Sequence, residues 1–403
     1  MMLFASKHLV ITPEQMGSVE VTSRDQLSCC PHWARAFASK RKDHRYYEIV
    51  EETILQRFEY RYFAIKDEQG EVRAVQPFFI HDQDLFEGVS PRGRSVVAFI
   101  RRGWPRFMRM RALMVGCAAG EGHLDEADGR QPEWQVRLLA STLVRHARKL
   151  GAPLVVLKEF PAKYRPTLRC FFEYGFTLIP SMPMTKLDVD YPSFDEYMKK
   201  ALNSATRTKL RRKFRAAAQG APIDMSVVTD ITPFVDEIYP LYLQVYERSK
   251  LHFEKLTKGY FSQLSRLMPD KVCFFVWRQN AKIVAFTLCM TEGDALYAEY
   301  IGLDYSVALQ LHLYHYAIRD MITWSIANGY KWFHSSGLNY DPKLHLRHLL
   351  DPVDLYVRHT SAIANALLKW ALPLMEPTRY DQTLKKFSNY QELWVAREQP
   401  GSG

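Results

Sequence analysis

At 403 residues, 47% hydrophobic and 13% aromatic, the chain is long enough for two or three packed domains and too apolar for disorder on a large scale. A formal net charge of +10 favours anionic partners such as nucleotides, tRNA, acidic cofactors or anionic lipid. Six cysteines, at positions 29, 30, 117, 170, 273 and 289, form no C-x-x-C pair and read as reduced, buried thiols, which argues against a disulfide-built fold.

The N-terminus lacks the apolar core of a secretory signal. No window reaches the roughly 18 apolar residues of a spanning helix. The nearest, Ser361 to Met375, is interrupted by Asn365 and Lys369. The expectation is a soluble, cytoplasmic protein without a transmembrane segment, able to make peripheral membrane contact.

In chain order, hydrophobic periodicity predicts a helical lead-in over 33–57 and a hairpin of strands 60–66 and 72–80 around Glu68-Gln69-Gly70. An arginine-rich loop (Arg92, Arg94, Arg101, Arg102, Arg106, Arg109, Arg111) precedes a strand at 107–115. The segment Gly116-Cys117-Ala118-Ala119-Gly120-Glu121-Gly122 comes next, then a helix over 133–150, a strand at 153–160, a short helix over 164–174 and a strand at 176–187. A second pass predicts a basic helix over 197–218, a helix over 234–249, strands at 272–278, 283–290 and 295–302, and a helix over 309–328. Gly329 stops that helix before a strand at 331–335, a small-residue turn reaching Lys343, a helix near 345–350 and a strand at 354–359. Both passes run hairpin, strand, loop, helix, glycine, strand. That repetition predicts an α/β chain of two similar domains, 1–190 and 191–403, the second with a helical tail, each built on a mixed sheet that is antiparallel first and parallel later.

The element order resembles the GNAT acetyltransferase fold, and its duplication resembles the tandem-GNAT branch that includes Fem-type aminoacyl-tRNA transferases. The letters that carry the resemblance are ATRTKLRRKFR at 205–215, VAFTLCM, YAEYIGLDY, the helix ending in NGYKWFHSSG, and Lys343 beyond it. The resemblance implies an N-acyltransferase whose donor is an acyl-CoA, with direct attack by a small amine or amino-acid-derived acceptor. Its alternatives are an aminoacyl-tRNA-dependent transferase and a silent binding protein of the same fold. In GNAT enzymes glycines before a helix let backbone amides hold pyrophosphate. Cys117, Gly120 and Gly122 are the candidates here, with Cys117 where arginine or glutamine is usual. The loop at 304–310 has no glycine at all.

Arg207, Arg211 and Arg212 lie on an acid-free basic helix that reads either as a solvated face or as an anion-binding surface for tRNA or polyphosphate. Glu299 and Tyr300 sit on a strand end, where a carboxylate can accept a proton from an ammonium and a tyrosine can protonate a leaving oxygen. Strict alternation would put Tyr297 with Glu299 on one face and Ala298 with Tyr300 on the other. His334 reads as a base or, preferably, as a polar cap at a strand end. The resemblance implies a place for Lys343 near a substrate phosphate or the acyl link. His312/His315 and His345/His348 lack a carboxylate at zinc-like spacing, so no metal is expected.

Overall fold

The computed structural model describes residues 17–84, 101–103, 109–126, 133–218, 221–249 and 252–394. Strands β1 (Ser18–Thr22), β2 (Glu59–Lys66), β3 (Val72–Asp84), β4 (Arg109–Val115), β5 (Leu154–Pro161), β6 (Thr177–Pro180) and β7 (Met184–Asp188) come from the first half. Strands β8 (Ile223–Val228), β9 (Val272–Gln279), β10 (Lys282–Glu292), β11 (Ala295–Leu303), β12 (Trp332–Ser335), β13 (Leu349–Asp351) and β14 (Val353–His359) come from the second. The helices are α1 (Arg24–Leu27), α2 (His44–Thr53), α3 (Glu133–Lys149), α4 (Phe194–Ala201), α5 (Ser204–Ala218), α6 (Val235–Arg248), α7 (Lys258–Leu267), α8 (Leu313–Ala327), α9 (Tyr340–His345) and α10 (Ala362–Met375).

Turn chemistry sets the hairpin β2–β3: Asp67 Oδ1 accepts from the amides of Gln69 and Glu71, and Gly70 supplies φ +84°. From β3 the chain pairs antiparallel with β4, crosses through α3, and returns parallel on β5, Ala112 opposite Leu154 through Val115 opposite Leu157. The second half repeats this. β9, β10 and β11 are antiparallel, and α8 carries the chain to β12, parallel to β11 from Ala295/Trp332 to Ala298/Ser335. The fold is therefore two mixed seven-stranded sheets of tandem GNAT-like topology, as expected.

The last strand of each half is exchanged. The first sheet runs β1-β2-β3-β4-β5-β14-β6 and the second β13-β7-β12-β11-β10-β9-β8, so β14 fills the gap between β5 and β6 while β7 fills the gap between β12 and β13. The single strand read over 176–187 is thus two strands in different sheets. One hydrophobic core joins the halves: α2 and α7 lie in it with Phe79 and Met114 of the first sheet and Phe274, Phe286 and Leu288 of the second. The outer faces pack separately, the first against α3 and the second against α8.

Other departures have local causes. The lead-in is a 3-10 turn at Trp33–Arg35 and then α2, because Phe37 with φ +59° breaks the chain between them and Asp43 caps α2 by accepting from Arg45 N (3.0 Å). Asn203 Oδ1 accepts from Thr206 N and splits the basic helix into α4 and α5. The segment 164–174 forms short 3-10 turns, and the helix expected near 345–350 is α9 followed by β13, whose Leu350 pairs with Thr185 and binds Asn389. Cys117, Cys170, Cys273 and Cys289 are buried free thiols, whereas Cys29 is exposed and Cys30 half-buried in a surface turn.

Candidate functional site

The loop before α2 carries Arg41 and Lys42 into the seam between the sheets, where they are 3% and 0% exposed. Arg41 meets Glu121 (2.5 Å) of the first half and Glu299 (2.8 Å) of the second, while its own amide donates to Glu292 (2.8 Å). Lys42 Nζ lies 2.7 Å from Glu121 and 3.3 Å from Glu299. Such pairs are stable only when each charge finds partners. Burial alone would raise Glu121, but Arg41, Lys42 and the hydrogen bond from His123 hold its carboxyl well below the usual range. Burial would also loosen the Arg41 proton; Glu121 and Glu299 outweigh it and bind that proton more tightly than usual. Burial pushes His123 down, against the pull of Glu121.

A β-bulge places Glu299. Leu288 pairs with Tyr300 and Cys289 with Ala298, so Glu299 is the extra residue, and alternation fails there. Glu299 and Tyr300, though adjacent, both face the central seam: Glu299 meets Arg41 and Lys42, while Tyr300 packs against the central core and donates to Glu254 (2.8 Å).

Two branches leave this junction. In one, Arg41 lies 3.7 Å over the Tyr297 ring, Tyr297 stacks on His334 at 4.3 Å, and His334 Nδ1 lies 3.1 Å from Asp351. Burial raises Asp351, but the His334 hydrogen bond and charge outweigh it and hold it low. Buried His348 is lowered by burial first, then by the charges of Lys343 and His334, and its amide donates to Lys343 O (3.0 Å). Lys343 is 3% exposed and donates to the carbonyls of Ser336 and Leu338. Burial pushes it down to about 7. Its two carbonyl acceptors match the two N–H groups of a neutral amine.

In the other branch, burial raises Glu254, opposed by Lys158 and the Tyr300 hydrogen bond. Lys158 Nζ donates to Gly120 O (2.8 Å) and Tyr46 OH to Ala119 O (3.1 Å). Both branches therefore meet at the segment 117–122. Gly120, at φ +88°, leaves room for Lys42: a Cβ there would sit 2.2 Å from its Nζ. Gly122 donates to Glu159 O and packs so tightly on Phe160 that a Cβ would come within 2.7 Å of the ring. Cys117 is 1% exposed and burial pushes its thiol up to about 12. The cavity beside it measures about 10 Å³, room for about one water.

The structure thus brings Glu299, Tyr300, His334, Lys343 and Gly120 into one connected seam and leaves Cys117 and Gly122 as buried packing beneath it. Arg207, Arg211 and Arg212 lie apart on α5. Arg207 binds the carbonyl of Leu202 (2.6 Å), whereas Arg211 and Arg212 are exposed. Arg92, Arg94 and Arg106 lie outside the described residues, and Arg111 pairs with Glu59. His315 contacts Lys213 at 2.7 Å, and burial with that charge pushes it down to about 4. Sequence reasoning missed Arg41, Lys42 and Glu121. The one available signal was Asp43, which as a helix cap would have left Arg41-Lys42 in a loop.

Comparison with known proteins places this seam in context. Residues 168–345, 178 of the 403, match the FemAB-like family model, described as peptidoglycan biosynthesis/recognition. The match takes in every strand of the second sheet except β13. No curated protein matches the chain. Among solved structures, L-PGS from Bacillus licheniformis aligns over 83% of this chain and 96% of its own, with 11% identity and a TM-score of 0.49. FemX aligns over 77% and 90%, with 10% identity and a TM-score of 0.48. A tandem GNAT protein from the clavulanic acid pathway aligns over 85% and 99%, with 11% identity and a TM-score of 0.44. The chain thus carries, over residues 168–345, a segment similar to the FemAB-like family.

Proposed function

We propose that this protein transfers an aminoacyl group from an RNA carrier to an amine at the point where β11 and β12 part. The observation that carries this reading is the opening itself. Their pairing ends at Ala298/Ser335, while β11 runs on to Leu303 beside β10, so among the described residues its other edge from Glu299 onward has no strand beside it. Backbone groups on such an edge can pair with an extended substrate and polarise a carbonyl. Lys343, with half its population neutral near pH 7, accepts the first proton of the attacking ammonium; as the new C–N bond forms and the ester C–O bond to the RNA breaks, the second proton passes to the departing ribose oxygen. Glu299, held by two cations, fixes the seam, and Tyr300 with Glu254 forms a polar wall.

Three observations support an RNA-borne donor over acyl-CoA. The FemAB-like match covers the half that contains the opening. In the first half, the loop offers the carbonyls of Ala119 and Gly120 to side chains and spends the Gly122 amide on Glu159. In the second, the amides of Tyr305, Ser306, Val307 and Ala308 are bound by Gln244 and Asp304. Neither loop keeps those amides for a pyrophosphate.

Calorimetric titration with aminoacyl-tRNA, uncharged tRNA, acetyl-CoA and longer acyl-CoAs tests the donor. Binding of aminoacyl-tRNA without measurable acyl-CoA affinity is expected. Binding of acyl-CoA alone would restore the CoA reading at Cys117, Gly120 and Gly122, and binding of neither would favour a silent binding protein.

A further inference from the structure

Helix α10 is apolar on two sides. Its inner residues Leu368 and Leu372 pack against the central core, and Asn365 ties its first turn down through Gly175 O and His359 N. Its outer side shows Ile363, Leu367, Trp370 and Leu374 at 79, 69, 75 and 51% exposure, spaced four, three and four residues apart in one stripe. Tyr380, 62% exposed, extends it by donating to Leu374 O. Five of the ten exposed large hydrophobics among the described residues lie here. Scattered exposed leucines are ordinary; a contiguous stripe marks an interaction surface.

The charge around the stripe is positive. Lys369 is exposed on the flank of the same helix, Lys385 and Lys386 are exposed beyond its C-terminal end, and exposed Arg148 and Lys149 flank its start, with Arg148 bound to Thr360 O. The acids do not offset this: Glu376 is 1% exposed, and Asp381 is spent on the amides of Thr383 and Leu384.

We propose that α10 docks this protein on an anionic lipid bilayer, with Ile363, Leu367, Trp370, Leu374 and Tyr380 in the headgroup–acyl boundary and the flanking lysines and arginine at lipid phosphates. Fourteen residues make a rod of about 21 Å, short of the roughly 30 Å hydrocarbon core, so the helix lies in the interface rather than across it. Tryptophan and tyrosine suit that depth, and Lys369 can extend its head to water. A second copy fits less well. The symmetric contact of two copies would bring the basic groups together.

The test is co-sedimentation of the full chain with vesicles of phosphatidylglycerol and phosphatidylcholine in equal parts, beside pure phosphatidylcholine, across a salt series. Wild type is expected to bind the anionic vesicles. Leu367→Ser/Trp370→Ser should weaken that binding at least about tenfold at an unchanged melting temperature, since both side chains are exposed. Lys385→Glu/Lys386→Glu should weaken it and flatten its salt dependence. No sedimentation with anionic vesicles, or binding unchanged by the Leu367/Trp370 pair, overturns the proposal. So does a concentration-dependent dimer that the same pair abolishes in the absence of vesicle binding.

Discussion

Lys343 links structure to a pH dependence. Its amine titrates near 7 in the fold and near 10.4 in an unfolded chain. Below pH 7 both states hold the proton. Between these values the unfolded chain binds one more, so stability rises with pH, by up to about 1.4 kcal/mol per unit. Urea unfolding at pH 7 and pH 9 should show this gain in wild type and lose it in Lys343→Met; equal gains in both would refute the depressed amine. Glu299→Gln behaves differently. It strips a buried charge from between Arg41 and Lys42 and should cost roughly 3–5 kcal/mol, read as a fall in the thermal melt. Lost turnover in that variant would therefore not identify a base, whereas Lys343→Ala assayed well below its melting point would. Gly120→Ala forces a side chain onto Lys42 at φ +88° and should destabilise by about 1–3 kcal/mol. Glu299, Tyr300 and His334 could be picked from sequence as polar residues on expected strands, and Lys343, which lies in α9, only through the family resemblance. Arg41 and Lys42 could not, since their partners lie 258 and 79 residues away and short-range patterning carries no trace of such pairings.

At the level of single elements, periodicity served well where backbone geometry is regular. α3, α8 and the antiparallel strands lie where hydrophobic spacing put them. It failed where one residue breaks the pattern: the bulge at Glu299 reverses the faces of the strand residues beyond it, and Asn203 divides a helix that reads as continuous. The basic helix α5 offers its own test. Arg211 and Arg212 are exposed, and no ion pair holds either among the described residues. If α5 follows an RNA backbone, Arg211→Ala/Arg212→Ala should weaken tRNA binding and lower the slope of log affinity against log salt by about 1–2, with the melting temperature unchanged. A slope identical to wild type would return α5 to a solvated face.

Across the whole molecule, the reciprocal strands make the two halves interdependent. A chain ending at residue 190 carries β7 without its sheet and lacks the strand that separates β5 from β6; one starting at 191 has the mirrored defect. Each half expressed alone should fail to give a cooperative thermal transition, and the intact chain should unfold in a single step by circular dichroism and tyrosine fluorescence. Two separated transitions would show that the shared core does not couple them. Sequence revealed β14 as a strand and the element order as duplicated. It could not reveal the exchange, because a strand's alternation is the same whichever sheet receives it.

The exchange also sets a timetable for synthesis. When Pro180 leaves the ribosome the first sheet is one strand short, and the strand that completes it begins at Val353. At roughly 5–20 residues per second the intervening segment takes on the order of ten seconds to make, during which β5 and β6 present unpaired edges. The nascent chain must keep those edges from foreign strands until its own arrives. Slowing translation between β7 and β14 should therefore lower the soluble yield of this protein, while leaving the activity of each correctly folded molecule unchanged.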